Sequence, residues 1–505
     1  MKNKIILTIL LLGVIYKLMM TSGGNFLFNM DNGRDMVDVR EMVVLQKPRL
    51  IGPTSAIQGL FNGPAWYYLL AIPFVLTKGD PYGAILMEIV FWTLGGFFLL
   101  KMVEKWNKWL VIPIGLIWVA SNYISLATVY SFNPNPVTLL APLSIYLLYK
   151  YLTEEKFIYI ASSFLLGGLF FNFEMNFGVF IPPIIFITTL IFKKSLLKTK
   201  NFWFGSLFFI LCLLPQAFFE LRHNFFMTNS TISFLSSSPG NTHNLFLRFQ
   251  SLFESFLSVF SATLMNQRVF TLISLLILIP LAFLLKKGRQ DLLALISLIY
   301  ITIPLICYLF LPVSVNPWHL GPETVAFIIL LGFSIKTLWE IHFKGKLAAL
   351  IIIILLLFYS FSNIGNFLFH DRFQENLDPS SYKNEITAID YVYKHANGQN
   401  FKVYTYLPSV YDYPYQYLFW WYGQKKYGYI PGEYVYSPNK PPYIPSQDKF
   451  QGKKDNFSGL VFLIKEPDRI KMRQAWENDF KNMKFISKEW VGPIEVEIRK
   501  EITTQ

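Results

Sequence analysis

Over the first three-quarters of the chain, apolar runs long enough to cross a hydrocarbon core alternate with short breaks, most of them carrying lysine. The first run covers about 5–21 and is followed by a long polar and aromatic segment, about 22–80. Further spans are predicted near 83–100, 109–127, 134–150, 157–172, 175–192, 203–219, 269–286, 291–311, 320–336 and 347–366, giving roughly 11 crossings. The apolar run at 64–76, opening Pro64-Ala65-Trp66-Tyr67-Tyr68-Leu69-Leu70, is too short to cross. It is predicted to lie in the interface as a helix with an aromatic face. The first run has the composition of a signal peptide but no small-residue cleavage site, and more spans follow it, so a retained anchor is expected.

From about residue 370 the pattern changes. Ile386, Ile389 and Tyr393 recur at helical spacing within 382–396, with Gly398 as a stop. Phe401–Tyr406 and Leu460–Ile464 read as strands, Glu466–Met483 as a second helix, and 407–447, rich in Tyr, Pro and Gly, as a long loop. The predicted fold is therefore a polytopic α-helical membrane domain, 1–369, with interfacial helices in its first external loop, and a small external α/β domain, 370–505.

Composition agrees with this division. The chain is 53% hydrophobic and only 15% charged, against roughly a quarter charged in soluble domains. The net charge of +13 is distributed unevenly: the tail holds 19 basic and 17 acidic residues, leaving 26 basic against 15 acidic in the apolar part. Those basic residues cluster at Lys2/Lys4, Lys101/Lys105/Lys108, Lys150/Lys156, Lys193–Lys200, Lys286–Arg289 and Lys336–Lys346, with two crossings between successive clusters. This positive-inside pattern puts the N-terminus in the cytoplasm, and the 22–80 loop and the tail outside a cell membrane. The basic excess is a topology signal, so no nucleic-acid partner is expected. Cys212 and Cys307 both lie in apolar runs and offer neither a disulfide framework nor a cysteine metal site.

Charge chemistry concentrates just after the first span, in Asp31-Asn32-Gly33-Arg34-Asp35-Met36-Val37-Asp38-Val39-Arg40-Glu41-Met42. On a helix, Asp31, Asp35 and Asp38 share a face, and Arg34 can pair with Asp38. A solvated surface helix capped by Asp31 accounts for the same residues. Phe61-Asn62-Gly63-Pro64, ahead of Trp66-Tyr67-Tyr68, opens the interfacial helix and also fits an aromatic membrane belt.

The order of a span, an acidic segment with Arg-Glu-Met, and a Pro-led aromatic helix resembles the glycosyltransferase C superfamily, in its protein O-mannosyltransferase and aminoarabinose transferase branch. The resemblance covers residues 31–70. It implies a polyprenyl-phosphate sugar donor, an acceptor that is a lipid, glycan or protein, and a catalytic carboxylate on Asp31. Arg34, Arg40, Glu41 and Met42 fall on matching positions, and Tyr67-Tyr68 on the aromatic helix. The family's Glu after the first Asp is Asn32 here, its loop Tyr is Asp35, and its phosphate-binding Lys is Gly63. Asp35 is thus a rival base, and the phosphate ligand is expected elsewhere.

Arg222 and His223, after the seventh span, and His319, opening another span, are candidate phosphate contacts, although an arginine there can also snorkel to headgroups and a histidine can cap a helix. Glu174, in the turn Asn172-Phe173-Glu174-Met175-Asn176, is a candidate sugar contact, as a carboxylate at membrane level. Substrate-binding candidates are therefore Arg34, Asp38, Arg40, Glu41, Asn62, Tyr67, Glu174, Arg222, His223 and His319. Asn133-Pro134-Asn135-Pro136 reads as a helix start. Trp420-Trp421-Tyr422-Gly423 resembles an oligosaccharyltransferase signature without its Asp, and offers aromatic faces on which a sugar can stack. No cofactor is expected; Asp31, Asp35 and Asp38 are where a divalent ion would bind in superfamily members that need one, and metal independence is predicted. The rival class is a transporter or flippase of lipid-linked glycans, which places charged or broken-helix sites at the bilayer midplane. Charge gathered in one external loop favours surface chemistry.

Overall fold

The computed structural model describes residues 3–502 apart from 56, 238–244, 265–290, 312–314, 410, 439–442, 454–456 and 468–469. Helices of the membrane part, numbered in chain order, are α1 (Lys4–Thr21), α2 (Met30–Val44), α3 (Ala65–Leu76), α4 (Tyr82–Glu104), α5 (Val111–Ala120), α6 (Asn122–Val129), α7 (Asn135–Glu154), α8 (Phe157–Phe173), α9 (Met175–Gly178), α10 (Ile181–Lys193), α11 (Lys200–Arg222), α12 (Phe226–Ser237), α13 (Leu245–Leu264), α14 (Leu292–Phe310), α15 (Gly321–Glu340) and α16 (Phe343–Phe369). Among the described residues seven helical segments are long and apolar enough to cross a membrane, and an eighth if α5 and α6 are one bent span. Shorter apolar helices stand at 65–76 and 157–173. The span expected at 269–286 lies outside the described residues. α12 and α13 were not anticipated from sequence.

The expected span 109–127 is broken. α5 and α6 meet at an angle of 52°. Ser121 makes the break possible, because its side chain accepts the Ile124 amide and restarts the helix as an N-cap. The carbonyl of Val119, at the bend, is met by the buried Lys17 ammonium at 2.9 Å, which also donates to Ser125 Oγ. Trp92 and Trp118 tie α4 to this bend reciprocally, each indole N–H donating to the other's backbone carbonyl at 3.2 and 3.1 Å. The bend turns α6 so that Tyr123, Leu126, Ala127 and, just beyond it, Tyr130 face one cavity.

α2 opens with a capping box: Asn29 Oδ1 accepts from the amides of Asp31 and Asn32, and Asn32 Oδ1 accepts from the Asn29 amide. The cap is Asn29, not Asp31, which sits in the first turn and suits its dipole. Three backbone hydrogen bonds hold the approach to this helix, from Leu27 to Val129, from Phe28 to Ser380 and from Tyr382 to Phe26. The start of α2 is thereby laced between the membrane bundle and the tail. α3, about 18 Å long at 1.5 Å per residue, is too short to span and lies against α2.

The tail begins after α16 and carries α17 (Tyr382–Ala396), α18 (Tyr413–Leu418), α19 (Ile470–Glu477) and five strands: β1 (Asn400–Tyr406), β2 (Glu433–Val435), β3 (Phe457–Lys465), β4 (Lys484–Val491) and β5 (Ile494–Lys500). Their order is β2-β1-β3-β5-β4, with β1 parallel to β2 and β3 and the other pairs antiparallel. α17 ends where Asn397 and Gly398 both take positive φ, a left-handed stop. Ala388, Ile389, Val392 and Ala396 of α17 are fully buried, whereas Trp476 and Phe480 pack on the other face with Tyr404, Tyr406, Val461 and Leu463.

Two expectations for the tail change. The helix expected over 466–483 is confined to α19 and a short 3₁₀ turn, because Trp476 and Phe480 turn inward onto the sheet. The loop 407–447 contains α18 and a π-helical turn at Phe419–Gly423. The aromatic residues of this segment serve as the tail's foot. Trp421 Nε1 donates to Lys78 O at 2.9 Å, Tyr417 OH donates to Gly79 O at 2.5 Å, and Trp420 stacks on Phe74. Tyr417, Phe419 and Trp421 are buried, so these rings hold the tail on the α3–α4 turn and are not free faces for a sugar.

α2 and α18 touch backbone to backbone, since a Cβ at Gly33 would collide with Tyr413 and Pro414 main-chain atoms. Gly33→Ala is therefore expected to force α2 and the tail apart, costing about 1–3 kcal/mol as overpacking does. A lowered melting temperature and faster proteolytic release of the tail would report it; wild-type behaviour in both would show that the two helices tolerate separation.

Candidate active site

A cavity of about 410 Å³ opens where α2, the 54–62 loop, α6, the start of α7, the α8–α9 turn and residues 316–319 converge. Five of the residues singled out in the sequence line it: Asp31, Arg34, Asn62, Glu174 and His319. They come from segments up to 288 positions apart, brought together by the lacing of α2 and the bend after α5.

On the α2 wall, Arg34 forks between two carboxylates. Its Nη1 meets Asp31 Oδ1 at 2.9 Å, and its Nη2 and Nε meet Asp35 Oδ1 at 2.9 Å. Asp31 remains 28% exposed, with Tyr130 OH donating to its Oδ2 at 3.4 Å. Asp35 lies behind, 1% exposed, with Oδ2 held by Trp66 Nε1 at 2.6 Å. Burial pushes the Asp35 carboxyl up to about 6, against the pull of Arg34 and Trp66. The two aspartates share one arginine, yet only Asp31 presents an edge to the cavity.

The opposite wall carries a second carboxyl. α8 ends at Phe173, and Glu174 caps α9 by accepting the Asn176 amide at 3.2 Å on Oε1. Asn176 Nδ2 donates to the same oxygen at 2.8 Å and lies 3.1 Å from His319 Nε2. His319 Nδ1 accepts the Asn316 amide at 3.2 Å, so this histidine both closes a helix start and aims Nε2 into the cavity, 3.9 Å from Glu174 Oε1. Tyr308 OH holds the Asn176 carbonyl at 3.0 Å. Burial raises the Glu174 carboxyl to about 7 despite its bonds from Asn176. Asn62 Oδ1 accepts the Met175 amide at 3.1 Å and fixes this turn to the loop ahead of α3.

The remaining candidates lie outside the cavity. Tyr67 OH donates to Asp38 Oδ2 at 3.0 Å, and Arg49 Nη2 binds Asp38 at 2.6 Å and Glu41 at 2.9 Å. Arg40 is buried, its guanidinium 3.8 Å from the Phe450 ring centre, and donates to Gln416 O at 3.2 Å. Glu41 also accepts the Ser446 amide at 3.3 Å. Asp38, Arg40, Glu41 and Tyr67 thus tie α2 to α3 and the tail. Arg222 and His223 are exposed at the end of α11, where the His223 ring stacks on Phe219 of its own helix. Nearby Glu220 accepts the Met227 and Thr228 amides and turns the chain into α12 instead of towards the cavity. Gly63, on the family's lysine position, has no room for a side chain, since a Cβ there would collide with Asn172. Arg49, Tyr130, Asn133, Asn135 and Trp318 were not among the candidates. Of these, the Asn133-Pro-Asn-Pro cluster carries a sequence signal, that of a helix start, and α7 does begin there.

Fold and site together define a polytopic membrane protein with an acidic helix after the first span, a cavity beside that helix and a small α/β tail docked on it. A family model described as dolichyl-phosphate-mannose-protein mannosyltransferase matches residues 62–219. The match begins after α2, so it bears on the bundle and not on Asp31. ArnT from Cupriavidus metallidurans shares the fold over the whole chain. Its crystal structure bound to undecaprenyl phosphate is similar with a TM-score of 0.61 and 11% identity, covering 100% of this chain and 99% of that one. The apo structure of the same protein is similar with a TM-score of 0.62 and 11% identity, covering 98% of each chain. No curated protein matches in sequence. The resemblance to the glycosyltransferase C superfamily seen in residues 31–70 is thus met by a family match over the following segment and by the fold of the entire chain.

The Glu174 environment has a measurable consequence. An unfolded glutamate releases its proton near pH 4.3, whereas folded Glu174 holds it until about 7. Between those values the unfolded state binds fewer protons, so this residue's contribution to stability falls as pH rises. Glu174→Gln cannot ionise and is expected to lack that slope. Its melting temperature relative to wild type should climb from pH 5 to pH 7.5. Asp412 and Glu466 in the tail, with carboxyls raised by burial to about 7 and about 8, titrate in both proteins and cancel in the difference. A flat difference would mean that Glu174 is ionised throughout.

Proposed function

We propose that this protein is a membrane glycosyltransferase that moves a sugar from a polyprenyl-phosphate-linked donor to a hydroxyl of a lipid, glycan or protein acceptor, in the cavity beside α2. The observation that carries this reading is the exposed edge of Asp31 on a cavity whose far wall presents Glu174, Asn176 and His319. The family match over 62–219 and the shared fold with ArnT support it.

In this reading Asp31 Oδ2 takes the proton of the acceptor hydroxyl as its oxygen attacks the anomeric carbon. The bond from that carbon to the phosphate oxygen breaks, and its electron pair leaves with the lipid phosphate. Arg34 is the strongly basic side chain that lines the cavity among the described residues. It orients Asp31 and offsets charge developing on the departing phosphate. Asn62, Asn176, Glu174 and His319 bind sugar hydroxyls, and Tyr130 and Trp318 offer ring faces. Asp35 is a positioning residue that holds the Arg34 fork.

Asp31→Asn keeps the shape and is expected to lower transfer 10²–10⁴-fold, roughly the worth of a general base, while donor binding survives. Asp35→Asn should cost less rate and more stability. The reverse ranking would move the base to Asp35. Incubating purified protein with radiolabelled polyprenyl-phosphate sugars tests the reaction itself; consumption of none of them sinks the proposal.

The reading also needs no metal, because Arg34 already engages the carboxylates of Asp31 and Asp35 that an ion would use. Transfer should survive chelator treatment. Loss restored by Mg²⁺ or Mn²⁺ would overturn that part. The lysine clusters support a cavity and a tail outside the cell. Single cysteines at exposed Gln46 and Asp448 should both react with an impermeant thiol reagent in intact cells, and labelling of one alone would break this topology.

A further inference from the structure

Away from the cavity, the far ends of α4 and α7 enclose a second cleft, of about 430 Å³. Asn135 at the start of α7 lines the first cavity, and Lys150 lines this one, roughly 22 Å further along the same helix at 1.5 Å per residue. Four lysines converge here, Lys101, Lys105, Lys108 and Lys150, with Tyr146 and Tyr149 as walls and Glu104 as the lining carboxylate. Lys101 donates to Asn3 Oδ1 at 2.8 Å and to Glu104 at 2.9 Å, and Lys150 pairs with Glu154. Lys105 stands 3.8 Å above the Tyr149 ring centre. Lys108 is exposed, and its side chain makes no hydrogen bond or ion pair among the described residues.

Placing lysines near a membrane surface satisfies the positive-inside rule wherever they point. It does not require four ammonium groups around one concavity, where like charges repel and an anion would be held by several donors at once. The apolar surface leading to the cleft indicates what kind of anion. Val90 and Leu94 are 61% and 40% exposed, and with Phe98 they form an i, i+4, i+8 stripe on α4 that continues into Lys101 and Lys105. Phe98 packs on Tyr146 with ring centres 4.8 Å apart, so the stripe runs unbroken into the cleft wall. A free phosphate would use the lysines alone; a molecule with an acyl chain and a phosphodiester would use both features.

We propose that the lysine cleft between α4 and α7 is a binding site for an anionic glycerophospholipid, its phosphate among Lys101, Lys105, Lys108 and Lys150 and an acyl chain along Val90, Leu94 and Phe98. The site is independent of the sugar-transfer reading. Such basic pockets at helix ends suit anionic headgroups, each lysine contributing roughly fivefold in affinity.

The test is native mass spectrometry of the detergent-purified full chain, incubated in parallel with phosphatidylglycerol, with phosphatidylcholine of the same acyl chains, and with phosphatidylglycerol plus millimolar inorganic phosphate. The wild type should retain phosphatidylglycerol over phosphatidylcholine, with inorganic phosphate failing to displace it. K101Q/K105Q/K108Q/K150Q should lose the preference. K193Q/K194Q/K198Q/K200Q, with the same loss of charge elsewhere, should keep it. Lys108→Gln removes no contact that the fold uses and should weaken retention roughly fivefold, which decides the matter if the quadruple variant does not fold. Equal retention of the two lipids, equal loss in both quadruple variants, or displacement by inorganic phosphate would each overturn the proposal.

Discussion

Ions taken out of water must be met by other ions or hydrogen bonds, and α2 carries six of them into a place where most of its residues are buried. The solution is an arrangement of shared partners. Arg34 serves Asp31 and Asp35, Arg49 serves Asp38 and Glu41, and Arg40 lies against aromatic rings of the tail. Once Trp66 and Tyr67 supply the remaining donors, Asp31 is the aspartate of the Arg34 fork left facing the cavity. The selection of one carboxylate from several follows from the pairing of the others.

This constraint explains why the tail is more than an appendage. Its polar and ring contacts with α2 come from Gln416, Trp420, Ser446 and Phe450, its backbone at Tyr413 and Pro414 lies against Gly33, and its foot rests on the α3–α4 turn through Tyr417 and Trp421. Without that cover Arg40 and Glu41 would face water or lipid without these partners. The bundle makes a matching concession on its side. The bend after α5 interrupts a span, and the buried Lys17 meets a carbonyl at the interruption. Glu88 and Glu323, also fully buried, lie in the early turns of α4 and α15. Lys17, Glu88 and Glu323 thus each stand within two turns of one end of their helix and not at its centre.

Much of this was legible in the chain. Runs of apolar residues fix where helices form, because a backbone in lipid has to satisfy its own hydrogen bonds. The helix at 382–396 and the strands near 401–406 and 460–464 followed from period and stop signals. The acidic segment and Glu174 stood out because a carboxylate at membrane level is costly and so conspicuous. The strands β4 and β5 were missed: they form an antiparallel hairpin around Gly492 and are completed by pairing with β3, a contact between residues far apart in the sequence.

The sequence by itself determined the class of fold, the places of most helices and the short list of charged residues from which a site is built. It did not separate Asp31 from Asp35, since residues four apart on one helix share a face whichever of them meets solvent. Nor did it separate Arg34 from Arg222, or a capping histidine from a cavity histidine, and His319 proved to be both. Those distinctions belong to the tertiary structure alone. They depend on Trp66 reaching Asp35, on Glu220 turning the chain away after α11, and on α6 bending towards α2. Trp66 reaches Asp35 from the next helix and Lys17 of α1 meets the α5–α6 bend from far along the chain, and local periodicity carries no information about which partner, near or distant, a side chain will find.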